Sequence, residues 1–202
     1  MKKTILLIAL VTVTGSIFAK NGVSISKKEK SANLPGENAG PKKTTTSGTI
    51  SFNATTAKDA KPKGENKTVI ASLDIVKGTV AFEVIVKNFS FENPMMQEHF
   101  NSPVWMDSEK FPTATFKGNI ANLSAINFKK DGTYAAQVKG DLTIHGVTKS
   151  VSSADSITVA GGSIKVASDF NVPLADYGIN GPAIAAGKVA TESKVSVAAD
   201  LK

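Results

Sequence analysis

From Gly48 onward the chain alternates apolar and polar residues with period two, and no other feature restricts the fold as tightly. Successive side chains of a strand point to opposite faces, so this alternation marks strands with one buried face. Ile50, Phe52 and Ala54 alternate with Thr49, Ser51 and Asn53, while Val80, Phe82, Val84 and Val86 interleave with residues such as Glu83 and Lys87. The same reading places further strands at 69–75, 113–121, 134–144, 149–159, 163–171 and 189–201, about eight in all. Turn signals separate them at Lys77-Gly78, Asp131-Gly132, His145-Gly146, Gly161-Gly162 and Asn180-Gly181-Pro182. Almost no helical period lies between strands, which excludes a parallel βαβ architecture and leaves an all-β antiparallel domain. Eight such strands either close into a barrel that holds one small ligand or stack as a sandwich filled by its own side chains. Alternation alone does not separate these two.

The residues before this domain set the expected compartment. Residues 1–19 combine a positive start (Lys2, Lys3), an apolar run from Ile5 to Val13 and a small-residue exit at Gly15, Ser16 and Ala19. That is the pattern of a secretory signal peptide, with cleavage expected near Ala19. The run is too short to span a bilayer, and no other stretch reaches the roughly 18 to 20 apolar residues that spanning requires, so no transmembrane segment is expected. Residues 20–47, rich in Lys, Gly, Ser and Thr, read as a flexible lysine-rich linker, which puts the domain at 48–202. The chain has no cysteine, so disulfides, thiol redox chemistry and a lipid-modified N-terminus are all excluded and stability must come from a core.

The formal charge of +7 is carried mainly before Gly48, and the domain itself is nearly neutral. Every basic residue is lysine. Without arginine the planar fork that reads bases and phosphates bidentately is missing, so no nucleic-acid partner is expected.

One interval, 88–112 (NFSFENPMMQEHFNSPVWMDSEKFP), breaks the alternation. Asn93 suits an N-cap, Pro94 the first helical turn and Pro103 the stop, which predicts a short helical insertion with Met96, His99, Phe100 and Pro103 on one face. Met95, Met96, Met106 and Trp105 all lie here, and Phe82 to Phe116 holds seven of the twelve aromatic residues beyond Ala19. Two readings stand. The insertion is a plug that completes the core, or its pliable methionines and flat rings line a mouth for a long apolar ligand. The candidate lining is Phe82, Phe89, Phe91, Met95, Met96, Phe100, Trp105, Met106 and Phe116, with His99 as either a core histidine or the polar group meeting a headgroup. A buried five-carbon isoprene unit would contribute on the order of 3 to 4 kcal/mol before ordering costs, so binding would need no charged contact.

Catalytic and metal chemistry find little support. His145, in phase with the polar residues Lys139, Asp141 and Thr143, reads as a turn residue. Two histidines without cysteine fall short of the three or four ligands zinc takes, so no metal is expected, and no cofactor motif is legible. No Ser-His-Asp order or phosphate loop is legible either, so the chain is not read as an enzyme; a hydrolase using His99 or His145 ranks last. A rival from another class is an exported β-sandwich that docks a protein partner through an outward-facing 88–112 patch. The oligomeric state stays open, a homodimer included.

The segment Leu142-Thr143-Ile144-His145-Gly146-Val147-Thr148-Lys149 resembles a strand-turn motif of the YceI-like family of periplasmic polyisoprenoid-binding proteins. Met96-Gln97-Glu98-His99-Phe100 through Phe111-Pro112-Thr113-Ala114-Thr115-Phe116 is similar to that family's helix-turn-strand passage, and Asp176-Tyr177-Gly178-Ile179 to its C-terminal segment. The resemblance covers about 48–201. It implies a lipocalin-like β-barrel with an apolar tunnel, an isoprenoid or quinone-like lipid as ligand, a periplasmic location and no enzymatic activity. Because the chain offers no arginine, a neutral ligand fits better than one bearing a pyrophosphate.

Overall fold

The computed structural model describes residues 41–202, and the readings of 1–19 as a signal peptide and of 20–40 as linker lie outside the described residues. Eight antiparallel strands run in chain order around a closed barrel: β1 (Lys42–Asn53), β2 (Lys63–Asp74), β3 (Thr79–Ile85), β4 (Thr113–Ile120), β5 (Gly132–Ile144), β6 (Val147–Ala160), β7 (Ser163–Pro173) and β8 (Glu192–Leu201). β8 returns to β1 through Thr49↔Ala198 to Asn53↔Lys194, which makes the wall a barrel and rules out the sandwich.

The first strand begins at Lys42, inside the segment read as linker. Its opening residues, KKTTTS, are polar but include three β-branched threonines, which favour extended backbone. They also have a partner, since Lys42↔Asp74 to Thr45↔Ala71 form a ladder before a bulge at Gly48. The last strand starts at Glu192 rather than at 189. Val189 and Ala190 belong to the preceding loop, where the Lys188 and Ala190 amides donate to the Ala183 and Ala54 carbonyls.

The connections differ sharply between the two barrel ends. At one end β2 and β6 turn directly into their successors, and β4 reaches β5 through 121–131 with a 3-10 turn at Leu123–Ala125. Asp74 Oδ1 accepts from the amides of Val76 and Lys77 (2.9 and 2.8 Å), closing the first of these turns, and Gly78 (φ 71°) supplies the left-handed residue it needs. This end is filled by its own side chains, among them Leu73, Ile157, Ile164 and Leu201, each at most 2% exposed. At the other end lie 54–62, 86–112 with helix α1 (Pro94–Asn101) and 174–191 with the short helix α2 (Pro182–Ala185), beside the tight His145-Gly146 turn. Asn93 caps α1, its Oδ1 accepting from the Met95 amide at 2.9 Å, and Pro94 occupies the first turn. No α1 residue is buried, so the helix lies across this end of the barrel instead of entering it as a plug.

Candidate functional site

Inward positions of β1, β3 to β8 and the long loops enclose a predominantly apolar cavity of about 740 Å³. Its volume falls within the roughly 300 to 1,000 Å³ of small-molecule sites, whereas packed interiors carry few voids larger than a water molecule. The cavity ends where the packed half of the barrel begins, at Phe82, Val138 and Asp155, which border both.

All ten side chains singled out from the sequence face this space: Phe82, Phe89, Phe91, Met95, Met96, His99, Phe100, Trp105, Met106 and Phe116. Different neighbours hold them there. Phe82 and Phe116, paired across β3 and β4 with ring centroids 6.4 Å apart, stand at the floor. Phe89, Phe91 and Phe100 gather around Phe52, with Phe52 and Phe100 stacked at 5.4 Å and Phe91 and Phe100 tilted at 5.0 Å. Each such aromatic pair contributes about 0.5 to 1.5 kcal/mol beyond area burial, so α1 is held to the rim by its Phe100. Gly64 on β2 leaves the room these rings occupy: a Cβ there would stand 2.8 Å from Phe91 and 2.9 Å from Phe52. Trp105 rests on the backbone of Gly181, tying the loop after α1 to the loop before α2. Met95, 62% exposed, and His99, also exposed, sit at the outer rim, so His99 is not a core histidine.

His145 is committed elsewhere. It adopts φ 51° and Gly146 φ 74°, the paired left-handed residues of a tight hairpin turn. Its Nδ1 lies 3.1 Å from the Tyr177 carbonyl and its ring packs edge-on against Phe111 at 4.7 Å. The histidine thus fastens the β5–β6 turn to the 3-10 turn Leu174–Tyr177.

The sequence reading missed the walls. Phe52 on β1, Leu142 and Ile144 on β5, Val151 on β6, Phe170 and Val172 on β7 and Val195 and Val197 on β8 line the cavity as fully as the 88–112 insertion does. Their signal was the alternation itself, with the inward face taken as core and not as cavity. Also missed is a polar group at the floor. Asp155 accepts from Ser168 Oγ at 2.6 Å, with Ser153 beside it, all three lining the cavity. Burial pushes the Asp155 carboxyl above its ordinary range against the pull of these two hydroxyls, and the neighbouring Asp169 charge adds to the rise. Nearer the mouth, the buried Ser193 hydroxyl lines the cavity without a hydrogen-bond partner among the described residues.

The chain matches the family model of the YceI-like domain over residues 41–202. Among solved structures it is similar to a polyisoprenoid-binding domain from Saccharophagus degradans, at 10% identity over 80% of this chain and 97% of that one, with a TM-score of 0.68. It is also similar to BcnA from Burkholderia cenocepacia, at 18% identity over 77% of this chain and 96% of that one, with a TM-score of 0.63. No curated protein matches the chain.

Proposed function

This chain belongs to the YceI-like domain family, and from that premise we propose that it is an exported carrier or scavenger that sequesters a neutral isoprenoid or quinone-like lipid inside its barrel. The observation that carries the reading is the predominantly apolar cavity of about 740 Å³ inside the barrel. A packed interior carries few voids larger than a water molecule, so a space of this size is far outside what a self-filled barrel leaves. Such a space is intelligible as a site to be filled and not as a packing defect. The Saccharophagus degradans relative is described as polyisoprenoid-binding, which supports the ligand class. Binding is favoured over catalysis because His145 is engaged by Tyr177 and Phe111 and because the lining is overwhelmingly apolar. The amino-terminal pattern of residues 1–19 motivates export to a periplasm.

The test is mass spectrometry of the organic extract of protein purified from its native exported fraction, beside a heat-denatured protein handled identically. A stoichiometric isoprenoid or quinone is the expected result. A clean extract from well-folded protein that also fails to take up such lipids would overturn the proposal.

A further inference from the structure

The barrel wall is not equally closed all round. β6 pairs with β5 along its whole length, from Ile144↔Val147 to Gly132↔Val159, but with β7 only from Ser156↔Ala167 to Ala160↔Ser163. Residues 147–155 of β6 and 168–173 of β7 therefore face one another without a ladder, a seam that runs from the cavity floor toward the rim. Val151, Phe170 and Val172 line the cavity on either side of it. Ser152, whose side chain has the outward parity of β6, borders the cavity as well, as happens where a wall is open.

Polar residues mark the foot of this seam. Along the inward face of β6 the order is Val151, Ser153, Asp155, Ile157, Val159, and along β7 it is Ile164, Val166, Ser168, Phe170, Val172. Asp155 and Ser168 stand opposite each other directly above the last paired residues, and Ser153 is the next inward position up β6. A barrel that had only to fill itself would gain by placing valine or alanine there, because burying polar groups is costly.

A second gap in the wall provides the contrast. The β2–β3 ladder ends at Ile70↔Glu83, and beyond it the buried Asn66 takes over. Its Nδ2 donates to the Ile85 carbonyl at 2.9 Å, while its Oδ1 accepts from the Thr68 amide and hydroxyl at 2.8 and 2.9 Å. That polar side chain is spent on closing the wall. A carboxyl has about four acceptor positions, so the Ser168 hydroxyl on Asp155 leaves it capacity toward the cavity.

We infer that Ser153, Asp155 and Ser168 form the subsite for the polar end of the ligand, an uncharged hydroxyl of the alcohol or phenol type, with the apolar chain rising from it to the rim beneath α1. This inference rests on the carrier reading above and names the chemistry of the same cavity. A hydroxyl satisfies both partners at once, donating to the carboxyl and accepting from a serine hydroxyl. A phosphate would bring negative charge to a carboxyl, and Lys188 lies in the loop at the cavity's opposite end. An ammonium could donate but not accept. A bare hydrocarbon would leave the three groups dehydrated and unanswered.

The experiment measures affinities by displacement of a bound fluorescent lipid. The competitors are a C20 prenol, the C20 hydrocarbon of the same skeleton and the corresponding prenyl phosphate. They are titrated into the wild-type protein and into Asp155→Leu, Ser168→Ala and Ser153→Ala. The wild type is expected to prefer the prenol over both alternatives by about tenfold, the worth of one buried hydrogen-bonded group. In Asp155→Leu that preference disappears while the hydrocarbon still binds. If Asp155→Leu does not fold, the two serine variants read the same preference and are expected to reduce it. Equal affinity for prenol and hydrocarbon in the wild type, tighter binding of the phosphate, or a preference unchanged in every folded variant would overturn the subsite and leave the carrier reading standing. Failure of all three competitors would overturn both.

Discussion

At the scale of single residues Asp155 is the most consequential position. Its carboxyl holds a proton more tightly in the folded protein than in the unfolded chain, because burial disfavours the charge. Between the ordinary carboxylate range and the raised value the folded state therefore binds more protons than the unfolded state, and stability falls as pH rises through that window. Above the window the loss is complete and constant. Asp155→Asn removes the titration, so urea midpoints should show the variant more stable than the parent at pH 7 and close to it at pH 3. A variant equally destabilised at both values would mean that the charge is not what the site tolerates. This residue was partly legible beforehand, since period two along β6 puts Asp155 in line with Ile157 and Val159. What sequence could not supply is the depth of that line, which depends on where the β6–β7 ladder stops. By contrast, the ten rim and floor residues were legible because methionine and aromatic rings concentrated in one interval advertise themselves.

Among the elements, β4 and β5 show how closely strands can be tuned by what is absent. Gly118 and Gly140 are paired across them, and the ring of Phe116 lies over both. A Cβ on Gly140 would run into the Lys117 carbonyl and the Gly118 backbone, so Gly140→Ala should force the strands apart at a cost of about 2 to 4 kcal/mol. Gly161→Ala is the control. That glycine has φ 55° with nothing within 4 Å of a new Cβ, and its replacement should cost only the roughly 1 to 2 kcal/mol of a left-handed non-glycine residue. Equal losses in urea unfolding would refute the crowding argument. The eight strands and the Asn93-Pro94 start of α1 were readable because each is a local pattern. The true start of β1 was not, because KKTTTS becomes a strand through its ladder with β2 and not through any apolar face of its own. Closure was not readable from the alternation, since it is a pairing of the first strand with the last, and only the family resemblance pointed to it.

For the molecule as a whole, one half of the barrel is core and the other is container. Ligand that enters only the folded container must stabilise it. At free ligand a hundredfold above Kd the gain is about 2.7 kcal/mol, which moves the Tm of a domain this size up by about 5 to 10 °C. Differential scanning calorimetry with a C20 prenol should show that rise, and an unchanged Tm at saturating concentration would count against binding to the native barrel. The closure of the wall has a further consequence. The amide of Thr44 donates to the carbonyl of Lys202 at 3.1 Å and the amide of Lys202 to the carbonyl of Thr44 at 3.2 Å, so the outermost strands meet beside the packed end. In connectivity the domain is a ring with a single break, and its strands have no geometric first or last. A gene that began at the Gly161-Gly162 turn and bridged the present ends with a few residues would encode the same sequence of neighbours around the same cavity.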